Sequence, residues 1–302
     1  MNLVAWDAIS SESRAFMGKP IQLLTDRERL LLDKAQSKSF LKLEGGDSLS
    51  IHFYFPKDLS KDPLRPAMLF FNGGAWDRGS VTQFAPHALH FVERGVVCGL
   101  VEYRNRSSHP ESNPADSMTD TEAAMRFLEQ HGETLCVDPS RMVLVGAGAG
   151  ANIAAGVAMR GDQASPSIKP AAVVVYSPII DVDKDGFGWE QFESSQQAKE
   201  VGLSRQVRSG LPPMLIIHGT ADRLLPFEGV MEFSRRMVRK KNICRLVEFE
   251  GRDQNFFNLN VDPISYEGVL LVTSEFLDEQ GILPFDREND VTQVISWREK
   301  DF

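Results

Sequence analysis

Cysteine is scarce in this chain, with three in 302 residues. Cys98, Cys136 and Cys244 are odd in number and share no metal-ligand spacing, which argues against a disulfide framework and a structural zinc site. Cys98 and Cys244 fall in apolar strand-like runs, where a small, weakly polar thiol is expected to be buried. Sparse cysteine points to a reducing compartment, and the cytoplasm is the expected location. Histidine is also rare. His52, His87, His90, His109, His131 and His218 follow no ligand pattern, so neither a metal nor another cofactor is expected. Basic charge is in deficit, 33 Lys and Arg against 42 Asp and Glu, for a net charge of -9. That balance disfavours nucleic acid or an anionic membrane face as partner. No apolar run approaches the roughly 18 residues that span a bilayer, so no membrane span is expected. The opening MNLVAWDAISSESRAF has no basic segment followed by an apolar core, so no secretory leader is expected.

The chain has enough apolar material for a sizeable core: 42% of its residues are hydrophobic. Thr25-Asp26-Arg27-Glu28 reads as a capping box ahead of LLLDKA, a helix start. SFLKLEG and LSIHFYFP alternate around Gly45-Gly46-Asp47, the pattern of an antiparallel hairpin. Short apolar runs then alternate with helical segments. AMLFF (67–71), VVCGLVEY (96–103), RMVLVG, AAVVVYS, MLIIHG and CRLVEFEG read as strands. Helices are expected near 82–94, 117–131, 149–160, 227–241 and 264–280. This alternation predicts an α/β fold with a mostly parallel central sheet and helices on both faces. Function in such sheets gathers at the carboxyl ends of the strands. The expected organisation is an N-terminal extension over 1–36, one domain over 37–285 and a tail over 286–302. The polar segment 178–212 reads as a small cap inserted between strands. Val291, Val294, Ile295 and Trp297 give the tail an apolar stripe that could dock on a neighbour.

One stretch carries most of the functional information. VLVGAGAGANIAAG, residues 143–156, reads as a strand, a very tight glycine turn and a helix. A serine nucleophile stands at the centre of such a turn in G-x-S-x-G. Here the turn is Gly146-Ala147-Gly148-Ala149-Gly150, and its central position has no side chain. The same residues satisfy G-x-G-x-x-G/A, the dinucleotide fingerprint. That reading fits poorly, because the turn is not in the first βαβ unit and the next strand does not end in an acidic residue to hold a ribose.

Four further motifs fall in order around this turn: Asn72-Gly73-Gly74-Ala75-Trp76, Glu102-Tyr103-Arg104, His218-Gly219-Thr220-Ala221-Asp222, and Glu250-Gly251-Arg252-Asp253-Gln254-Asn255-Phe256-Phe257-Asn258. Together they resemble the hormone-sensitive-lipase-like esterases of the α/β-hydrolase superfamily, especially bacterial acetyl esterase or lipase homologues. The resemblance runs over about residues 40–280 and implies an α/β-hydrolase fold. It places the nucleophile at Gly148, the acid at Asp222 and the base at Gln254. Only Asp222 keeps its chemistry. Gly148 offers no oxygen, and an amide is not a usable base near neutral pH. The oxyanion donors implied by the resemblance are backbone N–H groups, at Gly73, Gly74 and Ala149, and these are indifferent to side-chain loss. Ala149 would also open a helix, where the dipole favours an anion.

The leading expectation is therefore a catalytically inactive esterase homologue, whose oxyanion pocket holds a small ligand bearing a carboxylate or carbonyl. Asp222 is expected to accept a hydrogen bond from the Gln254 amide. His218, Arg104 and Asp120 are expected to be structural, and Ser80 to cap the helix after it. Three alternatives stay open: an active carboxylic-ester hydrolase with a displaced nucleophile, for which Cys98 and Ser177 are the candidates; a lyase or cyclase using the oxyanion hole alone; and an interaction protein working through its cap or tail.

Overall fold

The computed structural model describes residues 26–60, 62–160, 169–184 and 186–285. The Thr25 cap and the tail stripe lie outside these residues. A short helix, α1 (Asp26–Leu32), leads into a hairpin of β1 (Gln36–Lys42) and β2 (Ser48–Tyr54). Six strands follow: β3 (Arg65–Phe71), β4 (Val97–Val101), β5 (Val137–Ala147), β6 (Ala172–Tyr176), β7 (Met214–Gly219) and β8 (Cys244–Phe249). They form one sheet in the order β1-β2-β4-β3-β5-β6-β7-β8. β1–β2 and β2–β4 pair antiparallel, and every other pairing is parallel. The central strands are buried over nearly their whole length, as continuous apolar runs in a doubly covered sheet must be.

The connecting helices are α2 (Ala85–Glu93), α3 (Pro114–His131), α4 (Ala149–Arg160), α5 (Ser195–Val201), α6 (Phe227–Arg239) and α7 (Pro263–Glu279). α3 to α6 pack on one face, where Met118, Ile153, Val201 and Phe233 join Leu144, Val175 and Ile216. α2 and α7 cover the other, where Phe91 and Phe276 join Val145, Val174 and Ile217.

Ser80 caps the segment after it, as expected, its hydroxyl accepting from Thr82 N–H, although that segment opens as a 3-10 turn, Val81–Phe84, before α2. One boundary shifted where local chemistry was missed. α3 starts three residues earlier than expected, because Asn113 and Asp116 form a reciprocal capping box with Pro114 at the first position. Segment 178–212 holds α5 and 3-10 turns at Trp189–Gln191 and Ser204–Gln206. The buried Asn152 amide of α4 ties it down by donating to Ile179 and Val201 carbonyls at 2.9 and 3.1 Å.

Candidate functional site

Parallel pairing aligns the carboxyl ends of the central strands. Phe71 sits beside Gly146, Ala147 beside Tyr176, and Tyr176 beside Ile217. The next residues of each strand therefore form a row along one rim: Asn72-Gly73, Gly148, Ser177 and His218. Backbone strain is concentrated there. Among the described residues five non-glycine residues have positive φ, and three of them, Ala75 (52°), Trp76 (58°) and Ser177 (41°), lie on this rim. Each such residue costs on the order of 1–3 kcal/mol and persists only where surrounding structure enforces it, commonly at functional sites.

The glycines of the elbow play different parts. A Cβ at Gly146 would stand 2.3 Å from the Gly150 carbonyl oxygen, and one at Gly150 would stand 2.2 Å from the Phe71 oxygen. These two are demanded by close backbone approach. Gly148 is not. It has the left-handed φ of +51°, yet an added Cβ would meet nothing nearer than Gly73 Cα at 4.0 Å. The turn thus has a left-handed centre with open space where a side chain would stand.

Of the three amides implied as oxyanion donors, one is occupied. Gly73 N–H donates to the Gln83 side-chain oxygen at 2.7 Å. The Gln83 amide in turn donates to Asn258 Oδ1 at 3.2 Å, and Asn258 donates to the Asn255 carbonyl at 3.0 Å. A relay of amides therefore links the β3 loop to the loop carrying Gln254. Gly74 N–H and Ala149 N–H donate to no described group. Gly74 is irreplaceable for a steric reason: a Cβ there would overlap the Arg78 carbonyl oxygen, and its φ is +132°. The Tyr103 hydroxyl donates to the Asn72 carbonyl at 2.7 Å and steadies the same loop.

On the far side of the rim, Asp222 departs from expectation. Its Oδ1 accepts the Leu224 and Leu225 N–H groups, both at 2.9 Å. Its Oδ2 is buried and has no hydrogen-bond partner, so the expected bond from the Gln254 amide is absent. The two loops are nonetheless stitched together, by Ala221 N–H to the Arg252 carbonyl at 2.9 Å and Gly251 N–H to Thr220 Oγ1 at 2.9 Å. Gln254 is half-buried on that loop. Burial, followed by the charge of Asp253, pushes the Asp222 carboxyl up to about 6, against the opposing pull of the two backbone donors.

His218 is fully buried and donates through Nε2 to the Leu225 carbonyl at 2.7 Å. Its Nδ1 is left without a partner. Burial holds it below its ordinary value, so it is neutral near pH 7 and its 3.5 Å approach to Asp222 is not an ion pair. Arg104 grips Asp120 through Nε and Nη2, at 2.7–3.1 Å, and adds Asp116 at 3.5 Å. Cys98 is fully buried, and burial holds its thiol well above the ordinary range, so it supplies no thiolate. Ser177 is buried with an unpartnered hydroxyl. Sequence reasoning missed Gln83. A glutamine in a helical turn carries no signal until the fold brings it across the glycine loop. Among the described residues no group of three His, Cys, Asp or Glu could hold a metal, and no helix is long and apolar enough to cross a membrane.

Comparison with known proteins places the chain in a family. The BD-FAE family model matches residues 51–237. The chain belongs to the BD-FAE family. Its architecture is matched by esterase 2 of Thermogutta terrifontis, phosphoramylated by tabun, with 34% identity, TM-score 0.76, and coverage of 83% of this chain and 97% of that one. The butyrate-bound form of that esterase gives 32% identity and TM-score 0.78 over 86% and 99%. Among curated proteins, the isoprenylcysteine alpha-carbonyl methylesterase ICME of Arabidopsis thaliana is 22% identical over 71% of this chain and 55% of its own length. Carboxylesterase NlhH of Mycobacterium tuberculosis is 31% identical over 37% and 34%. This BD-FAE chain spans about half the length of the first of these curated relatives. It is an esterase-like α/β-hydrolase.

Proposed function

We propose that this protein is a catalytically inactive esterase homologue that holds a small carboxylate or carbonyl ligand at the elbow. The observation that carries the reading is Gly148, which has nucleophile-elbow backbone geometry, open space above it and no attacking atom. The Asp222 Oδ2 without a hydrogen bond supports it, because the one imidazole near it, His218 at 3.5 Å, is spent on the Leu225 carbonyl and leaves the acid no base to orient. The free N–H groups of Gly74 and Ala149, the latter opening α4, supply the anion-facing donors. Gly73 joins them when Gln83 moves aside. The Thermogutta terrifontis esterase 2, solved with propionate and with butyrate, supports a short carboxylate as the ligand class. Segment 178–212 acts as the cap, with Phe192 packed edge-on against Trp76 of the glycine loop at 5.6 Å between ring centres. The three free cysteines are consistent with a cytoplasmic setting.

The test is turnover of p-nitrophenyl acetate and butyrate at neutral pH, with butyrate titrated by calorimetry. The expected results are hydrolysis at background and butyrate binding weakened by Gly148→Leu, which fills the open space above the elbow. Hydrolysis well above background that is lost in Asp222→Ala would overturn the reading. A second reading, a hydrolase attacking through Ser177, is favoured by that residue's left-handed backbone and unpartnered hydroxyl. Labelling by a fluorophosphonate probe, mapped to Ser177, would select it.

A further inference from the structure

A hydrogen-bonded serine, histidine and carboxylate occur together in this chain, though away from the elbow. Ser37 and His52 are directly opposed across the β1–β2 pair. His52 faces Leu100 across β2–β4, and Glu102 lies two residues beyond Leu100, so the three side chains share one face of the sheet. Ser37 Oγ lies 2.7 Å from His52 Nδ1, and His52 Nε2 lies 3.1 Å from Glu102 Oε1. Glu102 is itself positioned by its Oε2, which accepts Ser50 N–H at 2.8 Å. A carboxylate only accepts, so Nε2 carries the proton toward Glu102, and in the neutral imidazole Nδ1 presents its lone pair to the Ser37 hydroxyl. That is the polarity of a nucleophile, a base and the acid that orients it. His52 is 8% exposed, whereas Ser37 is open to solvent on the outermost strand.

We propose that Ser37 is an acyl-accepting serine, activated by His52 and Glu102, that is modified by activated acyl donors such as aryl esters, thioesters and acyl phosphates. The donor class follows from the setting. On an open edge strand the leaving group must depart readily without an enclosed oxyanion site. In the step, Ser37 Oγ bonds to the acyl carbon while its proton passes to His52 Nδ1. The carbon–leaving-group bond breaks, and the proton leaves with the departing phenol, thiol or phosphate. The product is an O-acyl serine.

The test incubates the full chain with p-nitrophenyl acetate and maps acetylation by peptide mass spectrometry, using the neighbouring Lys38 as internal reference. Acetyl on Ser37 is expected, absent in Ser37→Ala. The Ser37-to-Lys38 ratio should fall at least tenfold in His52→Gln and in Glu102→Gln, with the far-ultraviolet circular dichroism unchanged. A purely structural cluster would leave that ratio unmoved. Acetylation confined to lysines, or a ratio equal to wild type in both folded variants, overturns the proposal. If either variant unfolds, Glu102→Asp, which keeps the charge but withdraws it from His52, supplies the same comparison.

Discussion

Supplying a hydroxyl at position 148 and an imidazole at position 254 is the most direct way to challenge the proposed inert elbow. Gly148→Ser adds a side chain whose Cβ contacts only Gly73 Cα, at 4.0 Å, so no clash accompanies it. The cost is conformational. An L-residue at φ +51° loses about 1–2 kcal/mol, offset by about 0.5–1 kcal/mol because glycine gives up more chain entropy on folding. The variant is expected to be less stable by roughly 1 kcal/mol and fully folded. Gly150→Ser is the control, because its Cβ would stand 2.2 Å from the Phe71 oxygen, and it is expected to fail to fold. Gln254→His then puts an imidazole on the loop stitched to the Asp222 turn, within the same site as the unpartnered Oδ2. Triad members act as a unit worth about 10⁶ in kcat, so each single variant should stay near background. The double variant is expected to gain on the order of 10³ in p-nitrophenyl acetate turnover, a fraction of that total because Gln83 still competes for Gly73 N–H. A folded double variant with no gain would refute the claim that the elbow retains working geometry.

Three further outcomes follow from buried charge. The Asp222 carboxyl is raised from its ordinary 3.8 to about 6, so it stabilises the fold while protonated and loses that contribution as pH climbs from about 4 through about 6. Asp222→Asn should therefore raise stability to urea at pH 8, by up to about 3 kcal/mol, with the gain vanishing near pH 4. His87 is fully buried among Phe84, Tyr176, Phe257 and Tyr266, and burial, then the neighbouring His90, lowers it to about 3. Its contribution is present above about 6.5 and lost as pH falls, by roughly 2 kcal/mol at pH 5, so His87→Phe should flatten the acid limb of a stability–pH curve. Asp120→Ala leaves Arg104 half-enclosed without its fork partner and should cost about 3 kcal/mol in denaturant unfolding.

Element type was largely legible in the residues because hydrophobic period is a local property. MLIIHG was placed to the residue at 214–219, and the helix after the elbow at 149–160. Boundaries slipped where a side chain caps its own backbone, as Asn113 and Asp116 do. The chemical poverty of positions 148 and 254 was equally legible, since a missing hydroxyl or imidazole needs no coordinates.

Contacts between distant segments were out of reach. Gln83 on the Gly73 amide, the bare Oδ2 of Asp222 in place of an expected Gln254 bond, and Ser37 lined up with His52 and Glu102 all join residues far apart in the chain. Residue type determines what each group can donate, accept or attack. Strand order and register determine which groups meet, because pairing sets the neighbours across a sheet and burial sets whether water can satisfy what remains unpaired.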